Sequence, residues 1–139
     1  MEKLEILIRD TKKALEALKE IVETPFSVIV RDAAIQRFEY SFEISWKLIK
    51  EFLKVQEGVI CNSPKSCFRE AFRMKLLAEE DVIKALEMTD DRNLTSHTYH
   101  EELADEIYKK IKDYHNLMEN IYMRISERLV PENDINEAK

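Results

Sequence analysis

The chain has 139 residues, with 22 basic and 28 acidic side chains for a formal net charge of −6, and only one glycine and three prolines. At this length one domain is expected, since domains mostly run to about 100 to 200 residues. Tight hairpins and glycine-rich phosphate loops need residues that tolerate positive φ, so a single glycine excludes folds built on them. The net acidity argues against general nucleic-acid binding but is compatible with a local basic site.

The same composition bears on compartment, metal and cofactor. No apolar run approaches the roughly 18 residues of a membrane span and no signal-peptide pattern opens the sequence, so we expect a cytoplasmic protein with no membrane partner. Cys61 and Cys67 have five residues between them and no second pair. That spacing fits neither a zinc site nor a disulfide framework, so we expect both thiols to be reduced and structural. No cofactor and no metal site are predicted.

Apolar residues recur every three or four positions along most of the chain, which is the period of an amphipathic helix. A first helix is predicted from Leu4 to before Pro25, and a second from about Ser27 to Gln56. Gly58 follows where a left-handed C-terminal cap is expected, so the one glycine is assigned to ending a helix.

The second half of the chain continues the helical pattern. Ser63-Pro64 predicts an N-cap and first-turn proline, opening a third helix that buries Cys67, Phe68, Ala71 and Phe72. A short helix is predicted through Val82, Ile83, Leu86 and Met88, ending near Asp90-Asp91. Thr98 and Glu101 have the spacing of a capping box, which would open a long last helix that Pro131 stops.

These elements predict an all-α fold, an up-and-down four-helix bundle with an additional short helix. One domain is expected over residues 1–130, followed by a polar C-terminal tail over 131–139.

The connection before the last helix is dense in polar and titratable groups, with Arg92, Asn93, His97, Tyr99 and His100 within nine positions. One interpretation is capping: Arg92 faces a helix C-terminus, Asn93 takes a left-handed cap and a threonine opens the next helix. Another is chemistry, since an imidazole that moves protons beside a guanidinium that stabilises phosphorane charge suits phosphodiester cleavage without a metal.

Geometry restricts the second interpretation. Arg92 and His97 are five residues apart, which is about 140° around a continuous helix, so they cannot share one face. Either the helix breaks between them or the pair acts across a dimer axis.

Arg92-Asn93-x-x-x-His97-x-Tyr99 resembles the R-x4-H-x-Y signature of the HEPN superfamily. Together with Arg37-Phe38-Glu39, the aromatic residues of the second helix and Ser63-Pro64, the pattern is similar to the nucleotidyltransferase substrate-binding proteins within that superfamily. The resemblance extends from about Leu4 to Leu129.

The resemblance implies a HEPN-like homodimer encoded beside a small, minimal nucleotidyltransferase. Relatives are described as substrate-binding subunits of a two-protein nucleotidyltransferase or as HepT-type toxins, whose motif cleaves RNA until the partner adds AMP to the tyrosine. Arg92 and His97 match the catalytic pair, Asn93 matches the polar residue beside the arginine, and Tyr99 matches the modified tyrosine.

The polar edge of the second helix is a further candidate substrate-binding surface, with Arg37, Glu43 and Lys47 beside Glu39. The resemblance lets these residues line a groove shared with the segment from Arg92. The alternative is a solvated helical face, because Glu43 and Lys47 have the spacing of an ion pair. Two carboxylates at 39 and 43 lack a completing ligand, so no metal is assigned.

Three functions follow. The first is a substrate-binding or accessory subunit that pairs with a separate minimal nucleotidyltransferase and binds a nucleotide or RNA. The second is a metal-independent endoribonuclease toxin silenced by AMP addition to Tyr99. The third is a non-catalytic helical interaction module. A minimal nucleotidyltransferase needs a Gly-Ser loop and an Asp-x-Asp pair, and this sequence has neither. The nucleotide-transfer chemistry is therefore expected from another chain.

Overall fold

The structure, a computed structural model, describes residues 2–129, whose regular secondary structure is entirely helical. Five α-helices follow in order: α1 (Glu2–Val22), α2 (Val28–Phe52), α3 (Pro64–Arg73), α4 (Glu79–Leu94) and α5 (Glu101–Arg128). A π-helical turn, Leu53–Glu57, extends α2, and a 3-10 turn, Thr95–His97, follows α4. The predicted all-α bundle is confirmed, whereas the predicted tail and the stop at Pro131 lie outside the described residues. None of the helices within residues 2–129 combines the length and apolar character needed to cross a bilayer.

α1 and α2 pack antiparallel. Arg37 donates to the carbonyl oxygen of Ala17 at 2.7 Å, and one turn later Ser41 donates to that of Ala14 at 3.3 Å. Because residues further along α2 meet residues earlier in α1, the two helices run in opposite directions. α1 lies lengthwise against α5 as well.

α5 runs parallel to α2 and antiparallel to α4. At their first turns Arg31 bonds Glu101, and further along the ring of Phe38 stacks on Tyr114 with centroids 5.6 Å apart. Arg124, near the end of α5, meets Asp81 in the first turn of α4 at 3.3 Å. The order up, down, up, down for α1, α2, α4 and α5 is that of an up-and-down bundle, and α3 is the additional short helix.

The core is built on aromatic rings from three helices, since Tyr114 of α5 joins those of α2 and α3. Phe42 packs against Phe38 and, at 6.1 Å between centroids, against Phe68 of α3. All three side chains are at most 1% exposed. Truncating a ring of this size to alanine costs about 3 to 5 kcal/mol in a well-packed core.

Local sequence signals set most helix ends as predicted. The Ser27 side chain accepts from the Val30 amide, and Ser63, followed by Pro64, caps α3 in the same way. Gly58 has φ +66° and its amide bonds the Leu53 carbonyl oxygen. Gly58 is therefore the left-handed residue that ends the helical stretch.

Two predictions about the short helices are wrong. α4 does not end near Asp90-Asp91 but continues to Leu94 and is longer than α3. Phe72 and Ile83 are 42% and 60% exposed, although both fall on predicted apolar stripes. Neighbouring helical residues are about 100° apart, and in each case the preceding residue, Ala71 or Val82, takes the core position.

The prediction of two reduced cysteines is also wrong. Cys61 and Cys67 form a disulfide with their Cα atoms 5.2 Å apart, and both are buried. The connection that follows Gly58 returns along the first turn of α3, which brings Cys61 within the range that a disulfide can bridge. The spacing in sequence gives no sign of that return.

Candidate functional site

Arg92 lies in the last turn of α4 and points at α2. Its Nη1 is 3.3 Å from Oε2 of Glu39, its Nε is 3.5 Å from Oε1 of Glu43, and Nη1 also donates to the Thr95 hydroxyl at 3.0 Å. The contact with Glu43 is an ion pair without hydrogen-bond geometry, so the buried Nε–H stays unpaired. The Arg92 side chain is 25% exposed. The guanidinium is therefore reachable from solvent but already neutralised by two carboxylates.

Asp91, the preceding residue, fixes this turn of α4 to α5. The Tyr114 hydroxyl donates to the Asp91 carboxylate, and Lys110 lies 3.2 Å from the same oxygen and 3.4 Å from Glu87. Burial and the hydrogen bond to Asp91 raise the pKa of Tyr114 well above its usual value. Burial lowers the pKa of Lys110, but the hydrogen bond to Asp91 and its charge outweigh it, so the net shift is upward. Asp91 thus holds the turn that carries Arg92.

His97 and Tyr99 lie beyond the end of α4, on an exposed turn. Nδ1 of His97 is 3.3 Å from the Tyr99 hydroxyl, with donor and acceptor set by the tautomer, and the Tyr99 ring packs on His100 at 4.4 Å. Tyr99 is 72% exposed. Of the two arrangements left open above, a break in the helix between Arg92 and His97 is the one observed within this chain.

The capping interpretation of this segment is wrong at two residues. Thr98 donates its hydroxyl to the Thr95 carbonyl oxygen, and α5 is preceded instead by His100, which makes no side-chain cap. Asn93 is helical, and Lys75 is the one non-glycine residue with positive φ in the described part of the chain. Asn93 therefore faces solvent one residue from Arg92, not in a left-handed cap.

The remaining predicted site residues separate. Glu43 joins Arg92 and also accepts from the Trp46 indole at 3.1 Å. Lys47 is exposed and, within residues 2–129, makes no ion pair with Glu43, whose carboxylate faces Arg92 instead. Arg37 lies on the opposite face of α2 and lines a groove of about 370 Å³ between α1 and α2, so it does not join Arg92.

Sequence reasoning missed Glu39 as a direct partner of Arg92, and it missed Arg31 altogether. Arg31 is 2% exposed and is surrounded by Asp32, Glu101 and Asp105. Hydrogen bonds to Glu101 and Asp105 raise its pKa further. No local pattern distinguishes this arginine from a solvated one, because Glu101 and Asp105 belong to α5, 70 and 74 residues away.

Within residues 2–129, no group of three or more histidine, cysteine, aspartate or glutamate side chains is arranged to hold a metal ion. The charged or reactive side chains at this site are one guanidinium, one imidazole, one phenol and two glutamates.

The fold is the all-α fold of nucleotidyltransferase substrate-binding domains. A Haemophilus influenzae protein whose structure is described as revealing the fold of a substrate binding domain of a nucleotidyltransferase is 22% identical, covers 90% of this chain and 98% of its own, and superposes with a TM-score of 0.63. A crystal structure of a Thermus thermophilus protein is 46% identical and covers 83% of this chain and 98% of its own, with a TM-score of 0.81.

The sequence comparisons give the family. A profile described as "Nucleotidyltransferase substrate binding protein like" matches residues 7–127, and the chain belongs to that family. A Haemophilus influenzae protein named "Probable ribonuclease HepT" is 36% identical over 85 residues. That match spans 58% of this chain and 57% of the curated relative.

Proposed function

We propose that this protein is the accessory, substrate-binding subunit of a two-protein system whose other member is a separate minimal nucleotidyltransferase. The family supports the pairing, and the sequence lacks the Gly-Ser and Asp-x-Asp motifs of a transferase. In this proposal the subunit is a cytoplasmic homodimer, as the resemblance implies, and its site is the segment from Arg92 to Tyr99 with Glu39 and Glu43.

One observation favours an accessory role over catalysis by this chain: Arg92 is already occupied by Glu39 and Glu43. A phosphate must displace those carboxylates before the guanidinium can stabilise it. Ion pairs that are this exposed contribute at most about 1 kcal/mol each, so the exchange is within reach of a bound nucleotide. The Arg92 segment therefore suits reversible binding of a phosphate-bearing ligand, with Asn93 and Tyr99 as further polar contacts.

The test is complex formation with the small nucleotidyltransferase encoded beside this chain. Co-expressed proteins should elute together in size-exclusion chromatography with light scattering, and the Tyr99→Phe variant should still bind the partner. If purified partner and chain do not associate with or without ATP, the proposal fails.

The second candidate is a metal-independent endoribonuclease, and the geometry of His97 favours it. Nδ1 contacts the Tyr99 hydroxyl, while Nε2 makes no hydrogen bond within the described residues and is free to act as general acid or base. In this scheme the Tyr99 hydroxyl gives its proton to His97 or water, and its oxygen bonds to the α-phosphorus of ATP in the partner's active site. The bond from that phosphorus to the β-phosphate oxygen breaks, pyrophosphate leaves, and the attached AMP blocks the imidazole.

An RNA cleavage assay in the presence of a metal chelator distinguishes the two candidate functions. A nuclease should lose activity on His97→Ala and keep it on His100→Ala, a neighbouring exposed histidine that serves as the matched control. AMP addition is read by mass spectrometry, which should localise it to Tyr99 and find none in Tyr99→Phe. If the wild-type protein cleaves no RNA under any condition, the nuclease function is refuted and the accessory-subunit function still stands. If replacing both Arg92 and His97 with alanine alters neither RNA cleavage nor nucleotide binding, the segment has no chemical role and the interaction module remains.

A further inference from the structure

The start of α2 presents an apolar patch that the bundle does not cover. Phe26, Val28 and Ile29 are 61%, 51% and 81% exposed. Other exposed apolar residues, such as Ile60 and Ile83, are far apart in sequence, as is normal for a protein surface. Three exposed apolar side chains within four consecutive residues are not scattered in this way.

The patch is held in a fixed shape by α5. The Phe26 ring packs on Tyr108 with centroids 5.6 Å apart, and Ser27 caps α2. Arg31, one turn into α2, binds Glu101 at 2.6 Å and Asp105 at 2.9 Å. Because residues four and seven apart share a helix face, Glu101, Asp105 and Tyr108 form one side of α5 along this edge. A partner would meet a preformed surface and pay little ordering entropy.

The rim of the patch is acidic. Asp32, Glu101 and Asp105 have side chains that are 60%, 70% and 50% exposed, and all three share the single guanidinium of Arg31, which is 3% exposed. Two negative charges of this cluster are therefore uncompensated. Asp32 lies one turn from Val28 and Ile29, so the charges border the apolar side chains directly.

The charge decides between possible occupants. A second copy of this chain bound symmetrically would bring the same acidic cluster against itself, and like charges across an interface are costly. RNA phosphates and anionic lipid headgroups would be repelled in the same way. A protein with apolar side chains surrounded by lysine or arginine is complementary on both counts.

From these contacts we infer that Phe26, Val28 and Ile29, with the rim of Asp32, Glu101 and Asp105, form the docking surface for the nucleotidyltransferase partner, which meets it with basic residues around an apolar centre. This inference rests on the proposed function. Glu101 follows Tyr99 by two residues, so the acidic rim and the exposed Tyr99 lie at the same end of α5. Docking and access to Tyr99 would then occur at one end of the bundle.

The experiment measures binding of the nucleotidyltransferase encoded beside this chain to immobilised wild type, Ile29→Asp and Ile83→Asp. Both isoleucines are exposed, so neither substitution should disturb the fold, and thermal unfolding verifies this. We expect Ile29→Asp to weaken binding on the order of tenfold or more, as for a central interface residue, and Ile83→Asp to change it less than about twofold. Asp32→Asn should slow association and reduce its dependence on salt.

The outcomes separate the two proposals. Equal binding of Ile29→Asp and wild type overturns the docking surface and leaves the proposed function standing. No binding of wild type overturns both. If Ile29→Asp instead converts a dimer to a monomer in sedimentation while the nucleotidyltransferase binds unchanged, the patch is a contact between copies of this chain and the inference is wrong.

Discussion

The Tyr114→Phe substitution tests how the site is held in place. Tyr114 is 2% exposed, its hydroxyl donates to the Asp91 carboxylate, and its ring stacks on Phe38. Phenylalanine keeps the ring and its packing and removes only the hydroxyl. Any loss of stability therefore measures the bond that ties the last turn of α4, and with it Arg92, to α5.

The magnitude follows from the state of Asp91 after the change. A hydrogen bond to a charged group contributes about 1.5 to 3 kcal/mol. Asp91 keeps Lys110 at 3.2 Å, so the carboxylate is not left unpaired and the loss lies toward the lower end, about 2 kcal/mol. For a chain of 139 residues, with an unfolding entropy of about 2.1 cal/mol/K per residue, this lowers Tm by about 7 °C.

The pH dependence has a definite sign. Burial and the bond to Asp91 raise the pKa of Tyr114, whereas the pKa of an unfolded tyrosine is about 10. The contribution of the Tyr114 hydroxyl to the free energy of unfolding is complete below about pH 10. It is lost as the pH rises above that value, because the unfolded chain then releases a proton that the folded chain retains. The pKa of Lys110 is also raised on balance, so its contribution to stability is likewise lost as the pH rises above about 10.4. The difference between wild type and Tyr114→Phe should therefore shrink above pH 10.

Thermal unfolding followed by circular dichroism at pH 7 and above pH 10 measures both effects. Tyr122→Phe is the matched control, since Tyr122 is on the same helix, partly buried, and its hydroxyl makes no hydrogen bond within the described residues. If Tyr114→Phe costs no more than Tyr122→Phe at pH 7, or if the two pH profiles stay parallel above pH 10, Asp91 does not anchor the turn and the reasoning is refuted.

Three further predictions concern separate features. Glu43→Gln removes one of the two carboxylates on Arg92 and should strengthen binding of inorganic phosphate severalfold in calorimetric titration while changing stability by less than about 1 kcal/mol; unchanged affinity would contradict the competition between carboxylate and phosphate. Reducing the Cys61–Cys67 disulfide opens a loop of sequence separation 6 and should lower the free energy of unfolding by about 2 kcal/mol. A dithiol reductant should have no such effect on the variant in which both cysteines are replaced by alanine. Gly58→Ala should lower the free energy of unfolding by about 1 kcal/mol, and Gly58→Asn by less, as measured by thermal unfolding. The loss is conformational, because φ is +66° and nothing lies within 4 Å of an added Cβ. Equal stability of Gly58→Ala and wild type would count against Gly58 as the cap.

Helix ends that depend on local chemistry could be predicted from the sequence. Ser63-Pro64 and Gly58 act through their own backbone and nearest neighbours, and both predictions are confirmed. The end of α4 could not be placed, because Asp91 and Arg92 look like solvated residues of a turn and instead find partners on α5 and α2. Thr98 has the correct capping spacing with Glu101, but its hydroxyl is taken by the preceding turn.

The candidate site, too, could be predicted only where it depends on residues close in sequence. The spacing of Arg92, His97 and Tyr99 places them in one segment, and the structure keeps His97 and Tyr99 in contact. What surrounds Arg92 depends on the register of α2 against α4, which decides that Glu39 and Glu43 face it and that Arg37 does not. Periodicity gives the face of each helix but not how far one helix slides along another.

The break after Leu94 gives the two halves of the site different resistance to local opening. Arg92 belongs to a helix bonded to its neighbours on both sides, whereas every side-chain hydrogen bond of residues 95–100 is made within residues 92–99. Amide hydrogens in the turn should exchange with solvent at the rate of a local fluctuation, and those of α4 at a rate closer to global unfolding. The imidazole and the phenol can thus move relative to the guanidinium while the rest of the bundle stays folded.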